Sequence, residues 1–222
     1  MSVFQAIQRL LFFKINREEM LQFSRAHFLA GLIGTWVVGM GRYWDDPGAN
    51  ILQHLGLGSV IYIFVLAFFI WLIVLPFKVN GWNYFIVLTF ISLTSFPAIF
   101  YAIPVERFVS LAQANQLNVW FLAVVAAWRL ALLFFFIARF TKLSKLNIAS
   151  IALLPICLII TVLTTLNLHR VVFNIMGGIR TETAHDSAYL VLMILTAVSM
   201  ILVLPLLIIY IDGIRKARKK SG

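Results

Sequence analysis

An arginine sits where a membrane-spanning segment should carry no charge. Residues 117–139 read LNVWFLAVVAAWRLALLFFFIAR. About 20 apolar residues suffice to cross a bilayer, and Arg129 lies near the middle of this run. A charge at that depth is supplied with hydrogen bonds by its neighbours, or it marks a functional site. On insertion scales an Arg at a helix centre costs about 2.5–3.5 kcal/mol, whereas each Leu, Ile, Phe or Val contributes about 0.3–0.6 kcal/mol the other way. The segment therefore inserts with Arg129 in place, and insertion alone demands no function.

A second set of chemistry-bearing residues is His54, Glu106, His169 and His185. Imidazoles and carboxylates together could hold zinc. They lie on separate loops, and the chain has no HExxH or similarly spaced pair. The nucleophile and phosphate motifs GxSxG and GxxxxGK[ST] are absent as well. The single Cys157 lies inside an apolar run, which excludes an intrachain disulfide and any Cys-cluster metal site. No cofactor is implied.

The elements that must position these groups follow from composition. The chain is 62% hydrophobic and only 12% charged, with a mean hydropathy of +0.98. A soluble domain is about half apolar and a quarter charged. The net charge of +10 would suggest nucleic acid in a soluble protein. Here the basic residues flank apolar runs, so lipid headgroups are the expected partner, not nucleic acid. The reading is an all-α polytopic membrane protein: a six-helix transmembrane bundle with an N-terminal interfacial amphipathic helix. Residues 1–25 form the interfacial segment, 26–212 the transmembrane domain and 213–222 a basic tail.

Val3, Ile7, Leu10 and Leu11 recur at helical spacing, predicting an amphipathic helix over 3–15. Such a helix lies in the interface plane or packs on the bundle. Residues 1–25 do not read as a cleavable signal, because Arg9, Lys14, Arg17, Glu18, Glu19 and Arg25 interrupt them. Asn16 with Glu19 reads as a capping box that starts a new helix near Arg17. Six spans follow, at about 26–43, 52–77, 83–103, 117–139, 147–167 and 188–212. The first is short and Gly-rich, and its Ala30–Gly34 and Thr35–Gly39 pairs predict a closely packed interior helix. The third contains Pro97, with nearby hydroxyls to satisfy the carbonyl that it frees. Asp46 before Pro47, and Asp186 or Ser187, read as helix caps.

Charge sets the orientation. With the N-terminus inside, Lys78, Arg139, Lys142, Lys145 and both basic termini face one side. Asp45, Asp46, Glu106, Glu182 and Asp186 all face the other. Two basic ends require an even number of crossings. The expected setting is a bacterial inner membrane, with both termini cytoplasmic. Helical side chains lean toward the helix N-terminus, so Arg129 should reach toward the outer half. Thr94 and Ser95 lie at its depth. Ser59, Tyr62, Tyr101 and Thr164 lie further out. No acidic residue is expected inside any span.

Three functions compete. The first is a non-catalytic membrane module that binds a partner protein or an anionic, lipid-like ligand at Arg129, Ser59, Tyr62, Thr94, Ser95, Tyr101 and Thr164. It would be a subunit of a transport assembly or a homo-oligomer, since proline-broken spans with polar residues at mid-depth are typical of transport sites. The second is a metal-dependent enzyme built on His54, Glu106, His169 and His185. The third is a membrane-shaping scaffold acting through the N-terminal helix. Binding ranks first.

Overall fold

The computed structural model describes residues 1–44, 49–170, 172 and 187–219. Asp45, Asp46, Glu182, His185 and Asp186 lie outside the described residues. Among those described, the chain is helical and has no strand. In order come α1 (Val3–Leu11), α2 (Arg17–Leu21), α3 (Arg25–Gly41), α4 (Ile51–His54), α5 (Leu57–Val74), α6 (Tyr84–Leu93), α7 (Leu111–Thr141), α8 (Lys145–Thr165) and α9 (Ser187–Lys219). Short 3-10 turns occupy Leu75–Phe77, Phe96–Ala102 and Val105–Arg107.

Five segments are long and apolar enough to cross a membrane: Leu57–Phe77, Tyr84–Arg107, Ala112–Thr141, Lys145–Thr165 and Leu190–Lys219. The chain is thus an integral, multi-pass membrane protein. The remaining expected span corresponds to α3, which has 17 residues and measures about 25 Å at 1.5 Å per residue. Both α7 and α9 outrun the expected spans, because a hydrogen-bonded helix does not stop where its side chains turn polar.

Several local expectations are met. The Asn16 side chain accepts the Glu19 N–H at 2.9 Å, and the Glu19 carboxylate accepts the Asn16 N–H at 2.9 Å. This reciprocal pair starts α2. Pro97 has no N–H to donate, and α6 gives way there to the 3-10 turn Phe96–Ala102. The expected hydroxyl rescue takes another form: Ser92 and Thr94 donate to the Thr89 and Ile91 carbonyls, each at 2.8 Å, rather than to the Leu93 carbonyl that Pro97 frees.

The interior helix is α6 rather than α3. Every residue from Ile86 to Leu93 is buried, whereas α3 buries Gly31, Thr35, Val38 and Gly39 and exposes Leu29, Ile33, Trp36 and Val37. The small residues of α3 form a single stripe, so only one side comes close to neighbours. Along that stripe a side chain at Gly31 would collide with the Ser92 hydroxyl, and one at Gly34 would meet the Phe96 ring at 2.7 Å. The Thr35 hydroxyl lies 2.8 Å from the Gly31 carbonyl and 2.9 Å from Ser95 Oγ. Removing it in Thr35→Val should lower stability by about 0.6 kcal/mol and by no more than about 1.7 kcal/mol, as interhelical hydrogen bonds in lipid do. Unfolding by titration with a denaturing detergent reads this.

Between α6 and α7 the spacers are rings: Phe90 stacks on Phe136 at 4.0 Å and 8°, and Trp82 meets Phe136 and Phe140 at 5.5 and 5.4 Å. The α8–α9 pair flanks this core. All the buried residues of α8 fall between Ile148 and Cys157. Tyr210 on α9 donates to the Ile73 carbonyl at 2.8 Å and meets the Phe77 ring at 5.8 Å.

Candidate functional site

Close approaches of glycine assemble the region around Arg129. A Cβ on Gly39 would meet Ser59 at 2.8 Å and the Gly56 carbonyl at 3.0 Å, so the end of α3 rests against the start of α5. A Cβ on Gly41 would meet that of Ala102 at 2.9 Å. This places Arg42, which caps α3, beside the 3-10 turn that Pro97 initiates. Tyr101 sits on that turn, and Tyr62 lies further along α5.

The charged groups converge on these two phenols. The Arg129 guanidinium lies 5.8 Å from the centre of the Tyr62 ring. Arg42 lies 5.1 Å from the Tyr101 ring and 5.3 Å from that of Tyr43. Tyr101 lies near enough to Arg42 and Arg129 to feel both cations. Cations over aromatic faces gain about 0.5–2 kcal/mol, more when desolvated. Arg129 is half-buried, and among the described residues it forms no ion pair. Tyr62 is 47% exposed, so the group opens at the protein's edge. The Arg129 guanidinium, with its planar N–H donors, can receive a carboxylate or phosphate oxygen.

Of the seven residues singled out from the sequence, Arg129, Tyr62 and Tyr101 come together. The other four use their surroundings differently. Ser59 packs on Gly39. Thr94 donates to the Ile91 carbonyl, and Ser95 faces Thr35 on α3. Thr164 donates to the Ile160 carbonyl of its own helix at 2.8 Å.

The chain shows no detectable similarity to known proteins: no family model, curated protein or solved structure matches it. Function must therefore be argued from the geometry.

Arg42 is the member that sequence reasoning missed. It stands in RYW at the end of the first span, where Tyr43 and Trp44 read as boundary anchors. The Gly39 and Gly41 spacing was the available signal, because it marks the face of α3 that meets α5 and the Tyr101 turn.

The alternative metal set does not assemble among the described residues. His54 ends α4 and is exposed. The Glu106 carboxylate accepts from the Asn118 amide at 2.9 Å, and His169 follows α8. No three His, Cys, Asp or Glu side chains converge among the described residues, and His185 lies outside them.

Proposed function

We propose that this chain is a non-catalytic membrane module that binds an anionic group attached to an apolar body, such as a lipid phosphate, at Arg129. The single observation that supports it is a half-buried guanidinium in the middle of an apolar helix, faced by a phenol ring and by no carboxylate among the described residues. Arg42 adds a second cation beside Tyr101. In this reading α3 is a sixth crossing and the two basic ends share the cytoplasmic side of a bacterial inner membrane. The binding site then lies in the outer half. Work as a subunit of a transport assembly, or as a homo-oligomer, belongs to the same reading.

A unit charge about 4 Å from the guanidinium gains about 4 kcal/mol at an effective dielectric constant of 20. Part of this is offset by stripping water from the ligand. Arg129→Gln should therefore weaken binding of phosphatidylglycerol by about tenfold or more, while phosphatidylcholine binding stays unchanged. Arg129→Lys should recover only part, because it keeps the charge and loses the planar fork. Native mass spectrometry of the purified chain during lipid titration reads both. Equal phosphatidylglycerol affinity in the wild type and Arg129→Gln would remove the basis for this function.

A further inference from the structure

We infer that the N-terminal arm, residues 1–25, is a preformed surface for anionic phospholipid in the leaflet at the basic end of the bundle. This is a second lipid site, independent of Arg129, and it rests on the membrane reading of the chain. Its position is fixed by contacts. Arg17 donates to the Asn80 carbonyl at 2.6 Å and to the Phe140 carbonyl at 3.2 Å. Asn80 lies in the turn that carries Lys78, and Phe140 lies between Arg139 and Lys142. Arg17 therefore ties the start of α2 to the end of the bundle where the basic turns gather, and the end of α1 reaches about 18 Å further along α7, to Trp128.

An isolated amphipathic helix folds by laying its apolar face on a membrane. This arm has already buried that face in protein. Ala6, Leu10, Ile15 and Met20 are at most 1% exposed. The N–H groups of the turn between its two helices are paired as well. The N–H groups of Phe12, Phe13, Lys14 and Ile15 donate to carbonyls of α1, and the Asn16 N–H donates to Glu19. Trp128 donates its indole N–H to the Leu11 carbonyl at 3.2 Å. With these N–H groups paired, the turn exposes few bare donors at the edge of a low-dielectric layer.

The outward side of the arm is what remains for lipid. Phe4 and Phe12 are 69% and 63% exposed, at the two ends of α1. Arg9 is occupied by Glu19 at 3.2 Å. Lys14 and Arg25 are exposed and form no ion pair among the described residues. Large aromatic side chains beside cations suit the boundary where acyl chains meet phosphates. Basic residues there attract anionic lipid, which points to a phospholipid and not to a neutral protein surface.

The test uses the full chain with Cys157→Ala and a single new cysteine, Phe12→Cys, carrying a fluorescent label. It is reconstituted in vesicles containing phosphatidylglycerol or phosphatidylcholine brominated on the acyl chains. At equal mole fraction, brominated phosphatidylglycerol should quench the label at least about twofold more than brominated phosphatidylcholine. Adding Lys14→Gln and Arg25→Gln should bring the two to parity. A label at Ile201→Cys, on the exposed side of α9, should be quenched equally by both lipids. Phe4→Cys repeats the measurement at the other end of α1 should Phe12→Cys fold poorly.

Three outcomes overturn the inference. Quenching by aqueous iodide as strong as for a label at Arg215→Cys would put the arm in water. Insensitivity to iodide and lipid alike would mean that a protein covers it. Equal quenching by both lipids would leave contact without charge selection. Failure of the Ile201 label to be quenched by either lipid would instead discard the membrane reading itself. Because Arg129→Gln should leave the quenching at Phe12 unchanged, the two lipid sites stand or fall separately.

Discussion

Gly56→Ala should be the most damaging glycine-to-alanine substitution among the described residues, removing about 2–5 kcal/mol of stability. Two independent penalties meet there. Gly56 has φ +64°, a conformation that costs an ordinary residue about 1–2 kcal/mol. A methyl group would also lie 2.6 Å from the Met40 nitrogen, 2.8 Å from the Trp36 carbonyl oxygen and 2.9 Å from the Gly39 carbonyl carbon. These are backbone atoms of α3 and its end, so nothing flexible can yield. Overpacking of this kind costs about 1–3 kcal/mol. The control is two residues away. At Gly58 a Cβ meets nothing within 4 Å, and Ala exceeds Gly in helix propensity by about 1 kcal/mol. Gly58→Ala should therefore be neutral or stabilising. Unfolding in mixed detergent micelles separates the pair, and equal midpoints would show that the α3–α5 contact is not as tight as described. Because that contact seats Tyr62 near Arg129, Gly56→Ala should weaken anionic lipid binding as well.

Arg17→Ala should lower stability by about 2–4 kcal/mol. A hydrogen bond from a charged donor contributes about 1.5–3 kcal/mol, and Arg17 makes two. Its guanidinium also lies 5.2 Å from the centre of the Phe140 ring. Partial exposure of Arg17 keeps the sum below the simple total. The Phe140 carbonyl is among the last of α7, so no later helical N–H reaches it. A cation there also meets the negative end of the helix dipole. Arg17→Lys should restore less than half of the loss, since an ammonium cannot span both carbonyls with a rigid fork. Hydrogen exchange gives a local readout: amides of α1 and α2 should lose protection in Arg17→Ala while those of α6 keep it. Unchanged exchange in the arm would mean that its buried side chains, not this clamp, hold it in place.

What could be read from the sequence was local, and what could not be read was lateral. Hydropathy placed the apolar runs, the Asn16–Glu19 pair located a helix start, and Pro97 located a helix break. Each depends on residues near one another along the chain. Which helix faces which was not legible, because in lipid both sides of a span are apolar and periodicity loses its meaning. That is why α6 was not recognised as the interior helix. Its residues resemble those of α5, yet α5 exposes Phe64, Phe68 and Leu72. The same limit hid the contact between Trp128 and Leu11, two residues 117 positions apart. At Arg129 the type of residue raised the alarm and the lean of the side chain pointed outward. Only the fold supplied Arg42, which depends on how closely Gly39 and Gly41 allow neighbouring chain segments to approach.

Among the described residues, the α8–α9 pair is fastened to the core through Tyr210 and the residues from Ile148 to Cys157. Toward Thr165, the side chains of Leu158, Ile159 and Val162 are half exposed. A load applied to the Thr165 end of such a pair acts on the Tyr210–Ile73 bond through the lever arm between them.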